Sequence, residues 1–132
     1  MDDIFVARVM SADLHTVVPG TPLSEAASVM LDNDIGSVLV VEDDQLAGIV
    51  TTTDFVRLVA DGSTTGAPVE TAMTTDIVTA DPQDSIREAA DRMVEHDVHH
   101  LPVVSESAGV VGMITTTDLA SYLSHVETPS PL

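Results

Sequence analysis

The chain carries one pattern twice. Gly48-Ile49-Val50-Thr51-Thr52-Thr53-Asp54 returns as Gly112-Met113-Ile114-Thr115-Thr116-Thr117-Asp118, displaced by 64 positions. Upstream the displacement is 63: Met10 falls on Met73, Asp13 on Asp76, Pro19 on Pro82, Glu25-Ala26-Ala27 on Glu88-Ala89-Ala90, and Asp34 on Asp97. The one-residue change lies between Val41 and Gly48, where a surface turn absorbs it. A period of this length marks two copies of one supersecondary unit, each relying on the other to cover its apolar face. Function is therefore expected at the seam between the copies.

Each copy predicts the same run of elements. In the first, Leu14–Val18 is a short β-type run stopped by Pro19-Gly20. Thr21-Pro22 then reads as N-cap and first helical position, where proline's missing N–H is no loss. Leu23, Ala26, Ala27, Met30 and Leu31 follow at helical spacing as an apolar stripe. The second copy places its cap at Asp84 and the stripe at Ile86, Ala89, Ala90, Met93 and Val94. Ser37–Val41 and Leu46–Val50 form a hairpin across Glu42–Gln45, and His100–Val104 with Val110–Ile114 form its counterpart. A second helix starts near Thr51 or Thr115, turning Phe55, Leu58 and Val59, or Leu119, Tyr122 and Leu123, inward. The predicted unit is β-α-β-β-α, an α/β (α+β) chain, with repeats at 1–62 and 72–126, a linker at 63–71 and a frayed tail at 127–132.

Charge removes several function classes. The 132 residues hold 22 acidic side chains against four arginines and no lysine, a net charge of −18. The acids are scattered, so an acidic recruitment tail is the weaker reading. Self-repulsion on this scale destabilises a compact state in dilute buffer, and at 1 M salt the Debye length falls to about 3 Å. This is the composition expected of a protein from a salt-accumulating halophile. Nucleic acid and anionic membranes are poor partners, since both reward clustered Lys and Arg. The absence of cysteine excludes disulfides, zinc–thiolate sites and thiol catalysis. No apolar run approaches the ~20 residues that span a bilayer, and Met-Asp-Asp lacks the positive start of a secretory signal. A cytoplasmic protein is expected.

The paired β-α-β-β-α pattern, each third strand closing on Gly-x-x-Thr-x-x-Asp, resembles the CBS domain family, in which a tandem pair is called a Bateman module. Val9-Met10-Ser11-Ala12-Asp13 and Ala72-Met73-Thr74-Thr75-Asp76 are similar to the family's repeat openings, and His99-His100-Leu101-Pro102-Val103-Val104 to its second strand. The resemblance covers Val9 to about Leu123 and implies two repeats related by a pseudo-two-fold axis, standing alone, with no catalytic residues and no required cofactor. It also implies a regulatory module that binds an adenosine-containing ligand, with AMP, ADP, ATP and S-adenosylmethionine as candidates, in the cleft between the repeats. A homodimer built through the first helices, using Ala26, Ala27, Ala89, Ala90, Met30 and Met93, is expected, with an unknown target protein as a further partner. A ligand-independent dimerisation or assembly scaffold is the alternative.

The candidate site residues follow from this frame. Thr51-x-x-Asp54 and Thr115-x-x-Asp118 admit a purely structural reading, a threonine N-cap with an acid three residues on. They also admit a ligand reading. A helix N-terminus favours a phosphate, and a carboxylate beside it accepts hydrogen bonds from a ribose diol. The resemblance sets Leu14, Thr16 and Val17 across from Asp118, and Ile77, Thr79 and Ala80 across from Asp54, as walls for the base. Leu14, Val17 and Ile77 read equally as core.

His96, His99 and His100 invite a metal reading, but a helix end, a loop and a strand point them apart, and no metal site is expected. The resemblance turns His99 or His100 toward the ligand phosphates, where a phosphate favours protonation; structural polar residues are the other reading. The first repeat has Gly36-Ser37 in their place, so the two sites are chemically unequal. The acidic surface repels polyphosphates and suits the sulfonium cation of S-adenosylmethionine. An enzyme is not expected, since no Ser-His-Asp order is present and the Asp motifs suit diol binding better than acid–base work.

Overall fold

The structure, a computed structural model, describes residues 4–63 and 66–126. It is a mixed α+β chain that divides into two compact units, Leu14–Ile77 and the described part of Met1–Asp13 with Val78–Leu132. These units and the sequence repeats are different divisions of the chain. The expected tail at 127–132 lies outside the described residues.

The Leu14–Ile77 unit holds β1 (Thr16–Val17), α2 (Leu23–Asn33), β2 (Ser37–Glu42), β3 (Gln45–Thr51) and α3 (Thr52–Ala60). An additional short helix, α1 (Val6–Val9), precedes it in the chain and belongs to the other unit. β1 runs parallel to β2, and β2 antiparallel to β3, giving the order β1-β2-β3. The expected strand Leu14–Val18 shrinks to two residues because Pro19-Gly20 and the bond from Val18 N to Thr21 Oγ1 (3.2 Å) turn the chain at once. That bond also takes Thr21 away from its expected capping role, and Pro22 is the N-cap of α2. Leu23, Ala26 and Met30 face Val38, Val40, Val50 and Leu58 in the core. The linker contributes as well. Val69, in a 3-10 turn at Val69–Thr71, is fully buried there, and its N–H donates to Thr21 O at 2.7 Å.

The other unit repeats the plan with α4 (Ile86–His96), β4 (His100–Ser105), β5 (Gly109–Thr115) and α5 (Thr116–Val126). Its first strand is reduced to a parallel bridge between Ala80 and Val103. Ser85, not Asp84, caps α4, in a capping box with Glu88 whose two bonds are 2.9 and 3.1 Å. Asp84 instead accepts from Asp81 N at 2.8 Å and from Arg92 at 2.9 Å. Burial alone would raise the Asp84 carboxyl, but these partners outweigh it and hold the group below its ordinary value. Ala89, Met93, Leu101, Val103 and Ile114 build the core with Val6 of α1.

The repeated residues have physical causes. Asp34 and Asp97 end α2 and α4 in the left-handed conformation, with φ of 52° and 53°, a region that Asp visits more readily than most residues. The chain then closes back, Ile35 N to Met30 O and Val98 N to Met93 O, both at 3.0 Å. The first hairpin turns on two residues, Asp43 and Asp44, with φ of 53° and 63°, as a tight hairpin requires. The second turns on Glu106-Ser107-Ala108 before Gly109 at φ 73°, and the extra residue that changes the displacement from 63 to 64 sits there.

Gly48 and Gly112 are required by close approach. A Cβ on Gly48 would lie 2.5 Å from Met73 Sδ, and one on Gly112 would lie 2.5 Å from Met10 Sδ. Each repeat's opening segment thus docks on the other repeat's hairpin. Ser11 and Met113 exchange two 2.9 Å backbone bonds, and Thr74 and Ile49 exchange bonds of 2.8 and 3.0 Å.

Several residues expected inside are not. Val59 and Leu123 are 74% and 50% exposed, and Leu31 and Val94 are each 82% exposed. Nine to eleven residues of helix leave room for a narrow buried stripe only, and Leu58 on α3 and Ala26 with Met30 on α2 fill it.

Candidate functional site at the second-helix N-termini

The two Thr-x-x-Asp segments sit where a hairpin's second strand runs into a helix. Thr51 pairs with Ser37 and Thr115 with His100 across their hairpins. The first helical N–H is tied to the residue just before the hairpin's first strand, Thr52 N to Gly36 O at 3.2 Å and Thr116 N to His99 O at 3.1 Å. The register therefore gathers His99, His100, Thr115 and Asp118 around one helix start, and Gly36, Ser37, Thr51 and Asp54 around the other.

Both carboxylates cap their helices. Asp54 Oδ2 accepts from Thr51 N at 2.9 Å, with Thr51 Oγ1 3.4 Å away. Asp118 Oδ2 accepts from Thr115 N at 2.9 Å, and Asp118 N donates to Thr115 Oγ1 at 3.1 Å. The second oxygens differ. Asp54 Oδ1 accepts from the Thr74 hydroxyl at 3.2 Å and stands 3.7 Å from the Arg57 guanidinium, and the residue is 6% exposed. Asp118 is only half-buried, and among the described residues its Oδ1 has no hydrogen-bond partner.

The histidines also separate. His99 is exposed and His100 half-buried. Burial, and after it the charge of neighbouring His99, push the His100 imidazole below its ordinary value, while Asp118 pulls the other way. Burial thus opposes the cationic role expected of His100 from the sequence. His96 ends α4, exposed. Among the described residues no group of three His, Asp or Glu is disposed to hold a metal ion.

The expected base-binding residues divide between the units. Leu14, Thr16, Val17 and Ile77 fall with Thr51 and Asp54; Thr79 and Ala80 fall with His99, His100, Thr115 and Asp118. Much of their backbone is already engaged. Thr79 O accepts from Arg92 at 3.0 Å, and Ala80 bonds through N to Pro102 O at 2.9 Å and through O to Val104 N at 2.8 Å. The Ala80 N–H is therefore taken, while its carbonyl oxygen keeps a second lone pair. Thr74 and Arg57 were missed by sequence reasoning. Arg57 stands three residues after Asp54 on one helix, a legible spacing, whereas only the Thr74-for-Ser11 difference between the repeats hints at the other contact.

The family model of the CBS domain matches residues 6–61 and again 69–125. The chain belongs to the CBS domain family. As a tandem CBS pair it is 34% identical over 116 residues to the CBS domain-containing protein YhcV of Bacillus subtilis, covering 87% of this chain and 82% of that one. It is 35% identical over 120 residues to a homoserine O-acetyltransferase of Methanohalobium evestigatum, spanning 90% of itself but only 24% of that enzyme. Among solved structures, the CBS domain pair of protein MJ0100 in complex with 5′-methylthioadenosine and S-adenosyl-L-methionine superposes with a TM-score of 0.88 at 23% identity, covering 96% of this chain and 100% of that one. The CBS domain protein PAE2072 from Pyrobaculum aerophilum, complexed with AMP, gives 0.84 at 20% identity over 96% and 100% of the two chains. At these identities the two structures establish the fold of the pair. No helix among the described residues is long and apolar enough to cross a membrane.

Proposed function

We propose that this CBS pair is a regulatory module without chemistry of its own. It binds an adenosine-containing ligand at a Thr-x-x-Asp helix start and passes occupancy to a partner protein. The observation that carries the reading is the Asp118 carboxylate. One oxygen fixes the helix start while the other accepts no hydrogen bond from a described residue, and the hairpin register brings His99 and His100 to the same helix start. A diol on that oxygen and a phosphate or other acceptor on the helix end is the recognition such an arrangement favours. Two structurally similar CBS proteins hold adenosine compounds, one S-adenosyl-L-methionine with 5′-methylthioadenosine and one AMP, which supports the ligand class. Among AMP, ADP, ATP and S-adenosylmethionine, the net charge of −18 favours the sulfonium compound and disfavours ATP.

Calorimetry in molar KCl tests this. AMP or S-adenosylmethionine binds with micromolar to sub-millimolar affinity if the proposal holds. Absence of heat from all four compounds at millimolar concentration favours the alternative of a ligand-independent assembly scaffold, for which the capping bonds at 2.9 Å are the supporting observation.

A homodimer through the first helices remains part of the proposal, with different residues. Ala26, Met30, Ala89 and Met93 are buried within their own units and are not available to a second copy. Leu31 and Val94, equivalent positions each 82% exposed, are the apolar groups that α2 and α4 offer instead.

A further inference from the structure

The two Thr-x-x-Asp motifs match in sequence, yet their carboxylates stand in different states of engagement. Around Asp54 both oxygens already hold a partner: Oδ2 accepts from Thr51 N at 2.9 Å and Oδ1 from the Thr74 hydroxyl at 3.2 Å, with the Arg57 guanidinium 3.7 Å from Oδ1. Thr74 reaches this position because its backbone is pinned to Ile49 on β3 by bonds of 2.8 and 3.0 Å. The equivalent residue in the other unit is Ser11, pinned in the same manner to Met113. Its side chain makes no bond to Asp118, and Ser121 stands where the first copy has Arg57. Among the described residues the hydroxyl lock and its cation are thus found on the Asp54 copy and not on the Asp118 copy.

A carboxylate grips a vicinal diol by accepting from hydroxyl donors, and it needs an open oxygen to do so. At Asp54 a ligand competes with the Thr74 hydroxyl for an oxygen of a residue that is 6% exposed, and the half-buried Thr74 loses its hydrogen bond to a charged group. At Asp118 no described residue has to be displaced from Oδ1. We infer that the chain is a one-site sensor in which Asp118 alone takes the ligand's ribose diol, and that Thr74 converts the Asp54 copy into a structural carboxylate. This rests on the adenosine-ligand reading above. It adds which motif works, how many ligands each chain takes, and which residue silences the other copy.

The test is calorimetry in molar KCl with AMP and S-adenosylmethionine, repeated with the 2′-deoxy form of whichever binds, on wild type, Asp118→Asn, Asp54→Asn and Thr74→Ala. Asparagine keeps an acceptor for the capping N–H but loses the anionic oxygen, and thermal melts establish that each variant is folded. The expected wild-type stoichiometry is one ligand per chain. Asp118→Asn should weaken binding about tenfold or more, the loss expected for hydrogen bonds to a charged group. The 2′-deoxy ligand should bind wild type and Asp54→Asn more weakly than the parent, while Asp118→Asn should no longer distinguish the two. That loss of discrimination is not produced by a merely structural role. Thr74→Ala should raise the stoichiometry toward two, and a value still at one would overturn Thr74 as the silencing residue. Two sites in wild type, or discrimination lost in Asp54→Asn and kept in Asp118→Asn, would overturn the inference while leaving ligand binding intact. No binding by wild type would overturn the proposed function itself, so the two failures are distinct. If Asp54→Asn does not fold, wild-type stoichiometry and the Asp118→Asn discrimination still decide the matter.

Discussion

Replacing Asp54 and Asp118 in turn by alanine should separate the two motifs by stability alone, with no ligand present. Asp54→Ala removes the acceptor for Thr51 N and also the partner of the Thr74 hydroxyl, both in a residue 6% exposed. Losing a helix cap costs about 0.5–2 kcal/mol, and losing the half-buried Thr74 hydroxyl's hydrogen bond to a charged group adds roughly 1.5–3 kcal/mol. Recovered solvation of the deleted carboxylate offsets part of this, leaving a net loss on the order of 2–4 kcal/mol. For a chain of this length 1 kcal/mol corresponds to about 3–5 °C, so Tm should fall by roughly 6–20 °C. Asp118→Ala deletes a cap in a half-buried residue whose second oxygen has no hydrogen-bond partner among the described residues. Its loss should be about 1 kcal/mol. Both variants remove one negative charge, and melting by circular dichroism in molar KCl screens that common effect. Equal Tm losses, or a larger loss for Asp118→Ala, would refute the reasoning that Thr74 and burial commit Asp54 to the fold.

Three further outcomes are expected. Tm should climb as KCl rises from dilute to molar levels, because the self-repulsion of a −18 chain is screened; a flat profile would remove the salt-adaptation argument. His100 is held below its ordinary value by burial, so above the unfolded value near 6.5 both states are neutral and its contribution is fully present. As pH falls below about 6.5 the unfolded chain takes up the proton first and that stability is lost. His100→Gln should therefore flatten the acid limb of stability against pH, and an unchanged limb would contradict the assignment. Gly112→Ala should destabilise by about 1–3 kcal/mol, because the new Cβ meets Ser11 O at 2.9 Å as well as Met10. Gly48→Ala meets its nearest backbone oxygen at 3.1 Å and should be milder in a denaturant titration, with the reverse order counting against the packing argument.

The sequence made the hairpins, both helices of each copy and the family legible, because the apolar spacing and the Gly-x-x-Thr-x-x-Asp signals are local. Helix starts were less legible. Thr21 and Asp84 are good capping residues by type, but Thr21 accepts from Val18 N, and Asp84 is claimed by Asp81 N and Arg92. Ser85 and Glu88 then supply the capping box one residue later. The pairing of each opening segment with the other copy's hairpin was hidden, since Met10 and Gly112 are about a hundred positions apart. Repetition also misled. Identical motifs at 51–54 and 115–118 imply identical sites, while the difference lies outside the motif, in Thr74 against Ser11 and in Arg57 against Ser121. The apolar stripe likewise marked Leu31 and Val94 as inward, although helical spacing does not say where a core stops.

The central claim is that this CBS pair carries an adenosine compound. The most direct measurement is mass spectrometry of the protein purified gently in molar KCl, comparing the folded species with the chain released by acid. A bound adenosine compound, AMP or S-adenosylmethionine first among them, is expected at up to one per chain and absent from Asp118→Asn prepared in parallel. An empty protein that also takes up none of the four candidates when they are added at millimolar concentration would contradict it.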